Sequence, residues 1–544
     1  MQDIFVQYIF LILIILALVM VANKLRVAYP IILVMGGLAL SFTSAFSQII
    51  IYPELVFFIF LPPLLYEAAW QVSWKEFWKW RRIITSLAFP IVIITSSVIA
   101  FIATAVIPGF TLALGFLLGG IISPPDAVSA TTIMRRVDVP KSMVSILEGE
   151  SLLNDASSLI IFRFAAAAVI TGQFHFGAAT ISFVLVVVMG ALIGIAVGFI
   201  FYAMHRWLPT TPSIEIILTL LTPYCMYYAA EHFHYSGVLA VVCGGLLLSS
   251  KRQSMLSYRS RIESVNVWSN IVFVLNGLIF MLIGLELPVI TQGLGNIALS
   301  TAIGYGLLIS LALIITRLLC SFGASAFTRL ASRFITVADP NPGWKAPLVA
   351  GWAGMRGVVS LAMALSIPIV MSNGEQFPYR NLILFVTFIV ILITLVFQGL
   401  TLPWLIRKVK PTDRNALITE DEQERIIQKK MAHASLLFLE DRFDGTEFNN
   451  PYLKNLHAKL TLEAAHFAQE ITEQTSSGNN GLKDFELIYL QLLERQRALL
   501  GDMNKRSEFD EELIRKYLSL IDLEEFKLRE RLVGGVVNVT VNKR

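Results

Sequence analysis

The stretch Glu148-Gly149-Glu150-Ser151-Leu152-Leu153-Asn154-Asp155 lies inside an apolar segment, roughly 143–171, that is long enough to cross a bilayer. Three carboxylates in eight residues are expensive in hydrocarbon and rarely incidental there. At ~100° per residue, Glu148, Ser151 and Asp155 share one helical stripe, with Glu150 and Asn154 on the adjacent one. That stripe must face protein, water or an ion.

Working outward, the whole chain has the composition of a membrane protein. Hydrophobic residues make up 56% and charged residues 15%, with a mean hydropathy of +0.68, far from an average soluble chain. Apolar runs recur up to about residue 406, which predicts an all-α polytopic membrane protein. We place spans near 5–22, 28–45, 53–70, 83–106, 112–134, 143–171, 178–204, 213–231, 236–250, 264–288, 298–327, 346–371 and 380–406. The first run has no basic residues before it and no small-residue cleavage pattern after it, so it reads as a retained span. Cys225, Cys243 and Cys320 all fall in apolar spans without metal spacing and predict no disulfide framework.

Charge divides the chain in two. Residues 1–410 hold 24 Lys+Arg against 15 Asp+Glu, whereas 411–544 hold 19 against 24. The first part reads as a transmembrane domain and the second as a soluble helical tail. Between the spans, alternate connections are rich in Lys and Arg, and the opposite set holds only Arg380. The positive-inside rule then predicts an outside N-terminus and a cytoplasmic tail. Trp70, Trp74, Trp78 and Trp80 crowd one cytoplasmic boundary.

Two spans read as broken. Ser123-Pro124-Pro125-Asp126 puts two prolines mid-span, and Gly351, Gly354 and Gly357 bracket Arg356 in another. Small residues for close packing and a simple proline kink are the plainer reading. Charged residues at both breaks favour an ion site, since discontinuous helices at membrane depth line protein or a cavity. The breaks occupy the fifth and twelfth spans, and this odd offset is what an inverted-topology repeat requires. Counted from the span starts, Asp155 lies ~18 Å in from the cytoplasmic side and Arg356 ~15 Å. Asp126 and Glu67 each reach ~21 Å from outside.

Carboxylates, a hydroxyl and main-chain carbonyls are the hard oxygen donors that Na+ prefers. A carboxylate removed from water can be neutralised by a cation or by a proton, so the two compete for one group. If these acids merely paired with Arg163, Arg317 and Arg356, Glu150 would be explained, but Glu67, Asp126, Glu148 and Asp155 would outnumber the remaining bases. We therefore expect a cation and proton site. An intramembrane aspartyl hydrolase using Asp126 and Asp155 is the alternative from another class; it usually shows Gly-x-Gly-Asp beside one aspartate, which this chain lacks.

Leu61-Pro62-Pro63-Leu64-Leu65-Tyr66-Glu67, Ser123-Pro124-Pro125-Asp126, the Glu148–Asp155 stretch and Gly354-Met355-Arg356-Gly357 stand in an order that resembles the monovalent cation/proton antiporters, specifically NhaP-type Na+/H+ exchangers. The resemblance covers about residues 1–410 and, on these motifs, does not reach the tail. It implies electroneutral exchange of Na+ (or K+ or Li+) for H+, a homodimer in the cell membrane, a role in pH homeostasis, and movement of a six-helix core against a dimerisation domain. It implies no cofactor and no nucleic-acid partner. Carried onto this chain, Asp155 is the shared cation and proton ligand, with Ser151 one turn before it and Glu67 completing the metal ligands. Asp126 acts at the unwound crossing, Asn154 steadies the helix, and Glu150 with Arg356 forms a structural ion pair. Many relatives have threonine where this chain has Pro125, so a hydroxyl is lost there while a carbonyl ligand survives.

Other polar residues carry weaker signals. Glu231, His232 and His234 read as a solvated loop, Glu215 as a helix-start acid, and Asn266, Asn270 and Asn276 as helix contacts or a vestibule. In the tail, helices are expected near 414–443, 450–475, 482–500 and 507–533, split at Gly445, Gly478-Asn479-Asn480-Gly481 and Gly501-Asp502. The tail is either a folded domain that stabilises a dimer or a regulator of transport.

Overall fold

A computed structural model describes residues 2–25, 29–43, 53–134, 137, 139–172, 176–295, 297–334, 339, 343–371, 374–411, 420–443, 451, 453–458, 460–461, 478–504, 517–518 and 520–528. Two compact units emerge, Met1–Asp413 and Arg414–Arg544. The first is built from α1 (Gln2–Leu25), α2 (Tyr29–Ser41), α3 (Pro53–Gln71), α4 (Trp74–Ala88), α5 (Pro90–Val106), α6 (Leu112–Ile122), α7 (Ala127–Met134), α8 (Lys141–Thr171) and α9 (Phe176–Trp207). It continues through α10 (Pro212–His232), α11 (Gly237–Met255), α12 (Tyr258–Gln292), α13 (Leu299–Ala331), α14 (Lys345–Trp352), α15 (Val358–Leu365), α16 (Arg380–Ile393) and α17 (Gly399–Val409). Every expected span coincides with one helix or a pair. Among the described residues, seven of them are long and apolar enough to cross a membrane, with shorter apolar helices beside them.

Local chemistry sets many of the ends. Thr111, Thr211, Ser236 and Ser257 each accept a hydrogen bond from a backbone N–H three residues on, opening α6, α10, α11 and α12. Gly172, at φ 69°, closes α8 in the left-handed conformation that a glycine adopts without cost. The fourth span begins earlier than expected, at Trp74, because α4 is amphipathic and buries Phe77, Trp80 and Ile84. Trp70 and Trp80 are accordingly buried, while Trp74 and Trp78 are exposed. Glu215 is buried and accepts from the Ser257 N–H and hydroxyl, both at 3.0 Å, which fastens the start of α12 to α10.

The helices form two groups. In one, α2 lies along α12, and α11 packs on α3, α9 and α10; in the other, α4 and α6 pack on α8, α5 on α6, and α13 on α14 and α16. The groups meet along a thin seam where α3, α11 and α12 face α4, α8, α15 and α16. The last span is continuous but π-helical over Thr394–Gln398, an irregularity that often marks functional positions.

The second unit contains α18 (Glu420–Phe443) and α19 (Gly478–Asn504). Here two expectations fail. Gly478-Asn479-Asn480-Gly481 forms the first turn of α19 instead of a break, and the helix runs through Gly501-Asp502 to Asn504. Asn and Gly are at home at a helix start, and a single internal glycine costs only ~1 kcal/mol. The expected break at Gly445 and most of the expected helices 450–475 and 507–533 lie outside the described residues, although 453–458 and 520–528 are helical. Arg497 joins Asp522 at 2.7 Å and Glu494 at 3.2 Å, and these carboxylates raise its basicity further.

Candidate functional site

The two broken spans cross at their breaks. Between α6 and α7, the backbone N–H of Asp126 donates to the Met355 carbonyl, between α14 and α15, at 2.6 Å. Four helix ends thus meet: the carbonyl ends of α6 and α14, and the N–H ends of α7 and α15. Asp126 stands just before α7, and a Cβ on Gly357, the residue before α15, would run into the Asp126 carboxylate. A carboxylate beside two helix N-termini sits where the peptide dipoles favour negative charge. Ser129 donates to Asp126 Oδ2 at 2.6 Å and fixes its direction.

Asp155 reaches the crossing from α8. It is 7% exposed, and among the described residues no ion pair or hydrogen bond reaches its carboxylate. Asp126 is close enough to act on it electrostatically. One turn earlier, Ser151 donates to the Pro125 carbonyl at 3.1 Å and accepts from the Ala127 N–H at 3.3 Å. The structure therefore brings Asp126, Pro125, Ser151 and Asp155 together. Glu67 is buried on α3 across the seam, with Gln71 donating to its carboxylate. Asn154 points elsewhere: its amide donates to Glu150 Oε1 at 3.1 Å.

The expected Glu150–Arg356 pair is corrected. Arg317 on α13 holds Glu150, with Nη1 2.5 Å from Oε1 and both side chains at most 2% exposed. Arg356 spends its donors on freed carbonyls instead: Nε on Ile122 at 2.7 Å, Nη2 on Ser123 at 3.0 Å, and Nη1 on Gly354. Its backbone N–H donates to Thr394 Oγ1 in the π-turn at 3.1 Å. A guanidinium offers five donors, and the carbonyl ends of broken helices carry the partial negative charge to receive them. Gly354 separates the two arginines closely; a Cβ there would lie 2.6 Å from Arg317 Nε and 3.0 Å from Arg356 Nη1.

Ser129, Gln71 and Thr394 were not singled out as partners from sequence, and Arg317 stood there only as one of three arginines that the acids could pair with. Ser129 and Gln71 sit three and four residues after the acids they hold, a helical-neighbour signal that was there to read. Thr394 left no such trace. Glu231, expected in a solvated loop, instead pairs with Arg163 at 2.6 Å, while His232 and His234 are exposed. Asn276 is buried, and Asn266 and Asn270 are exposed.

A family model for the transmembrane region of sodium/hydrogen exchangers matches residues 9–408, which includes both breaks and α8. The chain belongs to the sodium/hydrogen exchanger family. It is a transporter and not an enzyme, so the hydrolase alternative falls. The exchanger is 32% identical over 541 residues to the "sodium, potassium, lithium and rubidium/H(+) antiporter" of Bacillus pumilus, covering 95% of this chain and 78% of that one. It is 30% identical over 498 residues to the Na(+)/H(+) antiporter ApNhaP of Aphanothece halophytica, covering 90% and 88%. The likeness to the Bacillus protein runs well past residue 410 and corrects the expectation that relatedness stops before the tail. The fold matches the sodium proton antiporter MjNhaP1 of Methanocaldococcus jannaschii at TM-score 0.58 and 19% identity, over 75% of this chain and 99% of that one.

Proposed function

We propose that this exchanger moves Na+, and through the same site Li+ or K+, against H+, one for one and without net charge transfer. Asp155 is the shared ligand: a bound cation or a bound proton neutralises it, and only the neutralised site crosses between sides by alternating access. The reading rests on one observation, a buried carboxylate with no ion-pair partner among the described residues, beside a crossing whose arginines are engaged elsewhere. Ser151, the Pro125 carbonyl, Asp126 and Glu67 supply the remaining oxygens. Loss of the family threonine at Pro125 removes a hydroxyl, and the carbonyl that Ser151 contacts is the oxygen left in its place.

The charge pattern supports a plasma-membrane orientation with the tail in the cytoplasm, and the resemblance supports a homodimer. Similarity to a Bacillus antiporter of sodium, potassium, lithium and rubidium favours a broad cation range over strict sodium selectivity. The test is dissipation of an imposed pH gradient in proteoliposomes on adding Na+, Li+ or K+. Flux that follows each of these cations, unaltered by a membrane potential, is expected. Flux that responds to potential would overturn electroneutrality, and none with any cation would overturn the antiport reading.

A further inference from the structure

Arg163 and Glu231 take no part in the site, yet they join the two helix groups. Arg163 lies on α8 eight residues beyond Asp155, ~12 Å along the axis. Its Nη2 donates to Glu231 Oε1 at 2.6 Å, and the same oxygen accepts from the Gly237 N–H at 3.0 Å. One carboxylate thus ties the helix that carries Asp155 to the turn between α10 and α11. A second bond crosses the seam where α16 begins and α12 has just ended: Asn381 Nδ2 donates to the Gly293 carbonyl at 3.0 Å.

Both bonds sit at the same end of the bundle. Glu215 in the first turn of α10 accepts from Ser257 at the start of α12 at 3.0 Å. Further along, Trp268 Nε1 on α12 donates to Thr219 Oγ1 on α10 at 3.2 Å. The two helices thus start together and run in the same direction, with their C-terminal ends towards the same end of the bundle. We propose that the Arg163–Glu231 pair, backed by Asn381–Gly293, is a latch that closes the seam at this end. It must part for the Asp155 site to open to that side. The inference rests on the alternating-access reading above. Helices packed within a group move as one, so a displacement between groups is taken up at the seam, and a hydrogen bond of this length does not survive a shift of an ångström or two. A half-exposed ion pair is weak enough to open and re-form in each cycle. Both partners here are half-buried.

The test uses full-length protein in which Cys225, Cys243 and Cys320 are replaced by alanine and Arg163→Cys and Glu231→Cys are introduced. After reconstitution, a short bifunctional thiosulfonate bridges the pair. Loss of Na+-driven proton flux on bridging, with recovery on reduction, is the expected result. Complete bridging by mass spectrometry with flux unchanged overturns the latch. Absence of cation-driven flux in the parent would count against the antiport reading instead, and the latch is then judged by distance. Spin labels at the exposed Thr171 and Phe233, in labelled subunits diluted with unlabelled ones, report the gap. Glu231→Gln keeps an acceptor for Gly237 and should add a longer separation to the distribution. An unchanged distribution overturns the latch.

Discussion

Asp155 and Glu150 stand five residues apart on one helix, about 140° apart around its axis, and that angle separates their chemistry. Asp155 faces the crossing, with no ion-pair partner among the described residues, and Glu150 faces α13 and Arg317. Asp155→Asn should abolish cation-driven proton flux in liposomes while size-exclusion profile and melting temperature stay near the parent's, because an amide cannot trade a cation for a proton. Substantial Na+-driven flux from that variant would sink the mechanism. Glu150→Ala or Arg317→Ala each leaves a lone buried charge, at a cost of ~3–5 kcal/mol, and should lower the melting temperature sharply. The double Glu150→Ala/Arg317→Ala should cost less than the sum of the singles. Should Arg356→Ala rescue Glu150→Ala and Arg317→Ala fail to, the pairing described above is wrong.

At the scale of elements, the crossing is held by backbone groups that neither helix can satisfy within itself. Arg356 serves the carbonyl end of α6, and the π-turn at Thr394 receives the Arg356 N–H. Thr394→Val removes that acceptor and should cost about 1–3 kcal/mol for the stranded N–H, measured as a lower melting temperature of the detergent-solubilised protein. Gly357→Ala acts differently, because its added methyl displaces the Asp126 carboxylate. We expect weaker cation binding, read as a rise in the half-maximal Na+ concentration for flux, together with a lower melting temperature, because the Asp126 Cβ lies 2.7 Å from the added methyl and cannot swing clear as the carboxylate can. A Gly357→Ala protein with unaltered cation dependence would remove Asp126 from the site.

Over the whole molecule, the transmembrane unit and the tail are separate compact units, and every site residue named here lies in the first. Truncation after Asp413 should leave the order of preference among Na+, Li+ and K+ intact while changing maximal rate or pH response. An inverted preference in the truncated protein, measured by the same pH-gradient assay, would show that the tail helps form the pathway.

What the amino-acid sequence determined by itself is what hydropathy and backbone chemistry determine locally. Apolar runs set the spans, prolines and glycines set the two breaks, and charge in hydrocarbon singled out α8 as the helix of the candidate site. Each follows from a residue's own cost in its surroundings, without knowledge of its neighbours. The tertiary structure alone decided the partnerships. Arg317 and Arg356 are both buried bases at similar depth, and nothing along the chain says which lies across from Glu150 and which lies over the carbonyl end of α6. Likewise Glu231 sits beside exposed residues in sequence and beside Arg163 in space. Pairing depends on how helices far apart in the chain are rotated and packed, and that is a property of the assembled bundle.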